Sequence, residues 1–382
     1  MLHFLLSILP QFMEKLIMKN STQMVCKKSS IFTIVTLLIC LCSPLLAVHK
    51  QITHKKTSEK EQAAPIASIW KTLSEGTTLS MLEKRDAYTN DCKIFGKQFN
   101  KQIKKHNSDA TVRFMTYNVH FWKGKNKENI VEPVLGLIKK INPDILCLQE
   151  VIWDENNKKE LTQKFEELGY KYGGDKTFVA GKGALGNIVF SKYPLSNLYS
   201  KKYKNPVRKE YRAFTGATVT FNDKPIRFYC THLDVWDETE NARLEEITEL
   251  TDHIKNNDAN IKNVIFMGDF NALRKEDYNY SVNGKKVWEI LVADDKKRKI
   301  TTSTKALDCV KKLGYKDTYT LINKKPIFTV WSGKIVDFVF IKPGGDLILK
   351  DSQVYYSGIS DHLPVITDFK VKKPEVCIQS KL

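Results

Sequence analysis

The sequence predicts an α/β fold, a four-layered sandwich in which two mixed β-sheets pack face to face with helices outside. The first observation is that short apolar runs of strand length alternate with amphipathic, helix-like segments from residue 111 onward. The second is that most of these runs end at Asn, Glu, His or Asp. Because the strand-like runs come both singly and in pairs, we expect mixed sheets rather than purely parallel ones.

Apolar runs and helical spacing define the individual elements. The predicted strands are 113–117, 145–148, 188–191, 226–230, 264–267, 336–341 and 363–369. The predicted helices, with apolar residues at helical spacing, are 130–141, 158–168 and 244–254. Pro133 falls in the first turn of the first helix, where proline is tolerated, and Asn142-Pro143-Asp144 ends that helix.

Polar side chains lie within two residues of the ends of several predicted strands. Asn118, Glu150, His232 and Asp269 follow strands, and the pair Asp361-His362 precedes the last one. A packed core does not require such residues at the ends of its strands. In α/β architectures, loops held by a rigid sheet are where functional groups gather. The sequence therefore predicts one site built from several strand ends.

The N-terminal residues have the pattern of a secretory signal. The basic pair Lys27-Lys28 precedes the uncharged apolar run Ile31–Leu46, and the small residue Ala47 follows it. The run is shorter than the ~20 residues of a typical membrane span. Leu45 is larger than the small residue usual at the third position before a cleavage site. Retention of the segment as an uncleaved anchor is therefore the alternative. We expect the protein to be exported, either secreted or membrane-anchored by this segment.

Four regions follow from these patterns. Residues 1–47 are the signal peptide or N-terminal anchor, and residues 48–110 form a polar, Lys-rich helical extension. The extension either packs on the main domain or acts as a tether. Residues 111–370 form the α/β domain, and residues 371–382 form a C-terminal tail. Because no heptad or repeat is visible, we expect a monomer.

Charge and cysteine content narrow the partners. The chain has 61 Lys and Arg against 43 Asp and Glu, a net charge of +18, and more than half of the excess lies in residues 111–382. This favours anionic partners such as nucleic acid or acidic lipid head groups, although abundant surface lysine explains it equally well. The cysteines outside the signal, Cys92, Cys147, Cys230, Cys309 and Cys377, lack zinc-site spacing. We predict that no cysteine takes part in catalysis or metal binding. One disulfide bond is the alternative in an exported chain.

Seven short motifs occur in order along the α/β domain. They are Thr116-Tyr117-Asn118-Val119, Leu148-Gln149-Glu150-Val151, Gly186-Asn187, Thr231-His232-Leu233, Gly268-Asp269-Phe270-Asn271, Val336-Asp337-Phe338 and Ser360-Asp361-His362. Each is weak alone. Together and in this order they resemble the endonuclease/exonuclease/phosphatase superfamily, whose fold is DNase I-like. The resemblance covers about residues 111–370.

The resemblance implies a Mg²⁺ or Mn²⁺ site. Glu150 would be the principal ligand, since a hard cation prefers carboxylate oxygen. Asn118 would supply an amide near the same ion, and Asp361 would reach it directly or through water. Without clustered His or Cys, this ligand set does not suit zinc.

The resemblance also implies catalytic roles for five residues. His362 would contact the scissile phosphate or act on the attacking water, with Asp337 orienting it and raising its pKa. Asp269 would position or deprotonate that water, and Asn271 would donate to a phosphate oxygen. His232 would stabilise the developing phosphorane or protonate the leaving group.

Substrate contacts are less defined by the sequence. Asn187 matches the family's Gly-Asn position, and Arg212 precedes a strand in the way a family arginine often does. Trp236 and Trp331 lie near the expected mouth, where aromatic rings stack on bases or insert among lipid head groups. The basic run Lys201–Arg212, with interleaved tyrosines, fits either a surface that follows a nucleic-acid backbone or a solvated loop.

The sequence thus predicts a divalent-metal-dependent phosphoesterase in which water attacks the phosphorus in line. An exported nuclease is the favoured interpretation, and nucleic acid is favoured over a lipid head group as the partner. The first alternative is a sphingomyelinase-like enzyme or another phosphodiesterase or phosphatase acting on lipid head groups or small molecules. The second is a binding protein or effector with a vestigial site.

Overall fold

Two mixed β-sheets form the centre of the protein. The computed structural model describes residues 66–106, 111–323 and 327–373. The first sheet has the strand order β14-β15-β1-β2-β5-β3, with β4 also paired to β5. Its strands are β1 (Val112–Asn118), β2 (Ile145–Ile152), β3 (Tyr172–Gly173), β4 (Val179–Lys182), β5 (Leu185–Ser191), β14 (Leu347–Val354) and β15 (Val365–Val371).

The second sheet has the order β12-β13-β9-β8-β7-β6. Its strands are β6 (Leu195–Lys202), β7 (Ala213–Phe221), β8 (Lys224–His232), β9 (Val264–Asp269), β12 (Lys316–Asp317) and β13 (Asp337–Ile341). A short hairpin of β10 (Ser281–Val282) and β11 (Lys285–Lys286) lies outside both sheets. Each large sheet has one parallel pair, β1/β2 or β8/β9, among antiparallel neighbours. Both sheets are therefore mixed, as predicted.

Helices connect and cover the sheets. Among the described residues they are α1 (Ile69–Ser74), α2 (Met81–Phe99), α3 (Val131–Ile141), α4 (Lys158–Glu167), α5 (Asn241–Asn257), α6 (Val287–Lys297), α7 (Lys305–Lys312) and α8 (Thr318–Ile322). Helices α3 and α5 are the crossovers of the two parallel pairs, which require a long connection. In the described part of the chain, no helix combines the length and apolar character needed to cross a membrane.

Alternate residues of β1 face different apolar clusters. Phe114 belongs to the cluster between the sheets and packs edge-on against Phe228 of the second sheet. Met115 and Tyr117 belong to a separate cluster that contains the apolar face of α3. Because successive side chains of a strand point to opposite faces, the first sheet is buried on both sides. This accounts for the layered sandwich.

The segment before the α/β domain packs onto it. Trp70 of α1 is 1% exposed and meets the ring of Tyr278 edge-on, with centroids 6.4 Å apart. Helix α2 begins with a capping box between Ser80 and Glu83, and its Lys84 is buried in an ion pair of 2.6 Å with Asp294 of α6. For residues 48–110 the sequence predicts either packing on the main domain or a tether. Residues 66–106, which the structure describes, pack on that domain.

The predicted strands and helices occur at the expected places, and most extend a few residues beyond the apolar runs. Strand β14, the edge strand β6 and helices α6 to α8 are among the elements that had no prediction. Cys92, Cys147, Cys230 and Cys309 are free thiols, while the apolar run Ile31–Leu46, most of the tail and Cys377 lie outside the described residues. The boundaries of the four regions, export and the monomeric state stay predictions.

We expect Trp70→Ala to lower the free energy of unfolding by about 3–5 kcal/mol, because it leaves a cavity in the core. Leu82→Ala is the matched control in the same segment, since Leu82 is 63% exposed and its truncation is expected to cost less than about 0.5 kcal/mol. Urea unfolding of the full chain measures both. Equal stability of the two variants would contradict the integration of this segment into the fold.

Candidate active site

The ends of four strands bring the predicted polar residues together. In the parallel pair β1/β2, Asn118 is aligned with Gln149, and Glu150 follows. In the parallel pair β8/β9, His232 is aligned with Asp269. Strand β13 runs antiparallel to β9 and starts at Asp337, directly opposite Asp269. The site therefore lies where the carboxyl ends of the two parallel pairs meet across the sandwich.

The carboxylate of Asp269 is the centre of the site. Its Oδ2 lies 3.5 Å from Nε2 of His232 and 3.6 Å from Nε2 of His362, and it accepts a hydrogen bond of 3.1 Å from the Asn118 amide. Its Oδ1 accepts from the backbone N–H of Asn271 at 3.0 Å. Burial raises the pKa of Asp269 to about 6, although the neighbouring His362 opposes the shift. A carboxyl with such a pKa is suited to exchange a proton near neutrality.

Gly268 explains how Asp269 comes so close to β8. Its φ is +148°, and a Cβ at this position would lie 1.8 Å from the carbonyl oxygen of Thr231. No larger side chain fits between these paired strands. The glycine of the Gly268-Asp269 motif thus has a steric basis.

His362 is held in its charged form by two carboxylates. Its Nδ1 lies 2.9 Å from Oδ2 of Asp337, whose backbone N–H donates to the Thr329 hydroxyl. Burial works to lower the pKa of His362, but the charges of Asp337 and Asp269 outweigh it and raise that pKa well above its usual range. We therefore describe His362 as an imidazolium that donates from Nδ1 to Asp337.

His232 has the opposite character. Burial, the charge of Arg212 and then that of His362 hold the pKa of His232 well below its usual range. An N–H of Arg212 lies 3.2 Å from Nδ1, and the amide N of Asn271 lies 3.2 Å from Nε2. A neutral ring accepts from one of these two donors at its unprotonated nitrogen, whereas a protonated ring has no acceptor. The site therefore pairs one neutral and one charged histidine on either side of Asp269.

Glu150 lies in a strained part of β2. The strand bulges between Leu148 and Val151, and Glu150 has a φ of +55°, which is uncommon for a residue with a side chain. Its Oε1 accepts from Asn118 at 3.0 Å, and its buried Oε2 has no hydrogen-bond partner among the described residues. Burial, and then the charge of Asp361, raise the pKa of Glu150. An unpaired buried carboxylate oxygen is what a bound cation would satisfy.

Asp361 lies at the edge of this cluster. Its Oδ2 is 3.6 Å from Nε2 of His120 and 3.8 Å from the guanidinium of Arg85. The hydroxyl of the preceding Ser360 donates to the Asn118 carbonyl at 2.8 Å and ties the segment to β1. Sequence reasoning missed both His120 and Arg85. His120 comes two residues after a motif asparagine and could have been found, whereas nothing in the sequence links Arg85 to the site.

Two overlapping groups of side chains place ligand atoms close enough to hold a metal ion. One is Glu150, His232 and Asp269, and the other is Asp269, Asp337 and His362, with their atoms within 4.8 Å of one another. Because His362 is charged and bonded to Asp337, the first group suits a hard cation better. The Asn118 oxygen accepts from the His120 backbone N–H at 3.0 Å, so the Asn118 amide N, and not its oxygen, faces the carboxylates.

A cleft leads outward from Glu150 and His232. Lys182, Asn187, Tyr211 and Arg212 are among its lining residues. The amide N of Asn187 donates to the Ala213 carbonyl at 2.7 Å, which fixes the strand beside Arg212. Nε of Arg212 is buried and has no hydrogen-bond partner in the described parts of the chain. The cleft therefore has cationic groups at the point where a substrate anion would enter.

The two tryptophans do not join the central cluster. Trp236 is 42% exposed, and its indole N–H donates to Glu210, which pairs with Lys182 at the cleft. Trp331 borders a different hollow together with Asp361, and its ring lies between the guanidiniums of Arg85 and Arg298, each 5.6 Å away.

The start of the basic run Lys201–Arg212 faces acidic residues. Lys201 forms an ion pair with Glu249 of α5, and the backbone N–H of Lys204 donates to the same carboxylate at 3.1 Å. These contacts neutralise part of the positive surface. Arg212 is the member of the run that reaches the central cluster.

Comparison with known proteins places this site in a family. A model of the endonuclease/exonuclease/phosphatase family matches residues 115–362. The chain belongs to this family. This confirms the resemblance inferred from the seven motifs. No curated protein is similar enough in sequence to match the chain.

Solved structures share the fold of this family member at low sequence identity. An endonuclease/exonuclease/phosphatase from Beutenbergia cavernae has a TM-score of 0.50 and 19% identity, over 69% of this chain and 72% of that one. The 3′ phosphatase NExo from Neisseria, bound to a product DNA hairpin, has a TM-score of 0.51 and 18% identity, over 68% and 99%. ANGEL2, a 2′,3′-cyclic phosphatase, has a TM-score of 0.50 and 16% identity, over 69% and 96%. The predicted DNase I-like fold is confirmed.

In metal-free protein at neutral pH, we expect Glu150→Gln to raise the free energy of unfolding by roughly 0.5–2 kcal/mol. The pKa of Glu150 is higher in the folded than in the unfolded protein, so at pH values above that pKa its ionised carboxylate lowers the free energy of unfolding. In acid the carboxyl is protonated in both states, and the stability gained by Glu150→Gln should vanish. Glu166→Gln, an exposed position, makes the same charge change as a control. Urea unfolding with a chelator measures the effect, and a loss of stability in Glu150→Gln would contradict it.

Proposed function

We propose that this protein is a divalent-metal-dependent phosphodiesterase in which water attacks the phosphorus in line, without a covalent enzyme intermediate. The observation that carries the proposal is the Asp269 carboxylate between a neutral His232 and a charged His362. Groups with opposed pKa shifts on one carboxylate supply a base and an acid in the same place. Members of this family are phosphoester hydrolases.

Each side chain then has a role set by its contacts. Asp269, with a pKa of about 6, takes the proton of the attacking water on Oδ2. His362, held by Asp337 through Nδ1, presents its Nε2 proton to an oxygen of the phosphate. Arg212, whose buried Nε has no hydrogen-bond partner among the described residues, directs that N–H toward a second phosphate oxygen as the charge develops, and Asn271 holds His232 beside it.

Glu150, with Asp361 at the edge of the site, would hold the cation next to Asp269. Their oxygens suit Mg²⁺ or Mn²⁺, and the unpaired Oε2 of Glu150 leaves a position for it. When bound, the ion neutralises charge on the phosphate and on the leaving oxygen.

Nucleic acid is the substrate that the cleft favours. Arg212 and Tyr211 combine a cationic group with an aromatic ring at the entrance, as surfaces for single-stranded nucleic acid do, while Lys182 there is paired with Glu210. Two proteins of the same fold are a 3′ phosphatase bound to DNA and a 2′,3′-cyclic phosphatase with a bound adenosine compound. At their low identity they support the fold alone, so the cleft carries the substrate assignment.

A lipid phosphodiester is the second candidate. Val235 and Trp236, three and four residues after His232, are apolar side chains that are 44% and 42% exposed. Such side chains insert among lipid head groups. Export of the enzyme, proposed from the signal-like residues before Val48, would bring it to either substrate outside the cell.

We expect the full chain with Mg²⁺ to cleave plasmid DNA or RNA, and His362→Ala and Glu150→Ala to reduce the rate by about 10²–10⁴-fold. His253→Ala is the control, because His253 stacks on Tyr199 away from the cluster. Nucleic-acid binding should weaken steeply with added salt.

Sphingomyelin vesicles form the parallel assay. Vesicle hydrolysis with intact nucleic acid would transfer the proposal to the lipid substrate. Absence of hydrolysis of all three substrates by folded, Mg²⁺-binding protein would contradict cleavage of nucleic acid and of sphingomyelin, and would point to a soluble phosphoester substrate or to the vestigial alternative.

A further inference from the structure

One face of helix α2 runs along the segment that carries Asp361 and His362. Helix α2 precedes residues 115–362, the part of the chain that matches the family model. Four of its residues, Arg85, Tyr88, Cys92 and Gly96, are spaced three to four positions apart and so share one side of the helix. Each of the four lies against the segment Tyr356–His362. The helix and the segment run in opposite directions, so Arg85 lies near Asp361 and Gly96 lies near Tyr356.

The contacts are close at the distal end of this face. A Cβ added to Gly96 would lie 2.9 Å from the Tyr356 carbonyl oxygen, so the helix backbone touches the segment there. Gly358 has a φ of +66°, and a Cβ on it would lie 3.2 Å from Cβ of Cys92. Just after the helix, Asn100 exchanges two hydrogen bonds with the backbone of Tyr356, of 3.0 and 2.9 Å.

Tyr88 makes the contact next to the active site. Its hydroxyl lies 2.9 Å from the carbonyl oxygen of Ser360 and 3.0 Å from that of His362, and these bonds are buried. The two carbonyls belong to the residues on either side of Asp361. The hydroxyl shares its one proton between these two carbonyl oxygens and so bridges the peptide units before and after the Asp361–His362 bond. Arg85, one turn earlier, reaches the Asp361 carboxylate at 3.8 Å.

We propose that Tyr88 is a positioning residue of the active site, which sets the backbone of Ser360–His362 so that Asp361 and His362 face Glu150 and Asp269. The inference rests on the proposed phosphodiesterase function. The hydrogen bond of 2.9 Å between His362 and Asp337 depends on where this backbone lies, and so does the placement of the Asp361 charge beside Glu150. Groups that orient metal ligands commonly change metal affinity and activity when removed.

The matched control is Tyr356, in the same aromatic cluster. Both rings pack against Phe328, with centroids 6.1 Å away for Tyr88 and 5.5 Å for Tyr356. Both tyrosines are buried, but the Tyr356 hydroxyl has no hydrogen-bond partner among the described residues. Tyr88→Phe and Tyr356→Phe therefore remove the same atom from the same environment, and only the first removes bonds to Ser360 and His362.

The experiment measures two quantities on the full-length wild type and both variants. The first is kcat and KM for bis(p-nitrophenyl) phosphate with Mn²⁺, and the second is the Kd for Mn²⁺ by calorimetry without substrate. For Tyr88→Phe we expect kcat to fall and the Mn²⁺ Kd to rise, each by about 10-fold, with KM changed less. Tyr356→Phe should match the wild type in both. Thermal unfolding checks that the two variants are folded.

The outcomes separate this inference from the proposed function. Equal kcat and equal Mn²⁺ Kd in Tyr88→Phe and Tyr356→Phe would overturn the positioning role, even if Tyr88→Phe lowered the Tm. If the wild type binds Mn²⁺ but does not cleave the diester, the proposed function fails on this substrate. In that case the Kd for Mn²⁺ alone still tests the positioning role of Tyr88, because its measurement requires no turnover.

Discussion

The burial of the Asp269 carboxylate between two histidines is the constraint on which the rest of the structure depends. A carboxylate that is 1% exposed requires compensation, and His232, His362 and the Asn118 amide supply it. Asn118 ends β1 of the first sheet, His232 ends β8 of the second, and His362 lies just before β15. The sandwich must therefore hold its layers in fixed register for the site to exist. Packing of aromatic rings between the sheets provides that rigidity.

The asymmetry of the two histidines follows from their partners. His362 faces the carboxylates of Asp337 and Asp269, whereas His232 faces donors from Arg212 and Asn271. The same residue type thus has two protonation states within one site. The strain in β2 at Glu150 and its unpaired oxygen fit a position that is completed by a cation. The backbone strain and the unpaired buried oxygen both lower stability, and such features are expected at functional sites.

The sequence predicted much of the fold and the central cluster, because apolar strand runs ending in polar residues are a local pattern. That pattern predicted Asn118 and His232 at strand ends, and the register of the strands brings both side chains to Asp269. The contribution of Arg85 was not predictable, because contact between α2 and Asp361 depends on packing between residues far apart in the chain. Trp331, which the sequence predicts near the substrate mouth, borders a hollow together with Asp361, and the guanidiniums of two arginines lie over its ring.

Anomalous diffraction from crystals soaked with Mn²⁺ tests the central claim most directly, because it locates the ion without any assay of turnover. We predict a manganese peak in contact with the carboxylate of Glu150, on the side of its unpaired Oε2 and next to Asp269. The same crystal of Glu150→Gln should lose that peak. An ordered manganese ion held elsewhere, with Glu150 free of it, would contradict the account of the site.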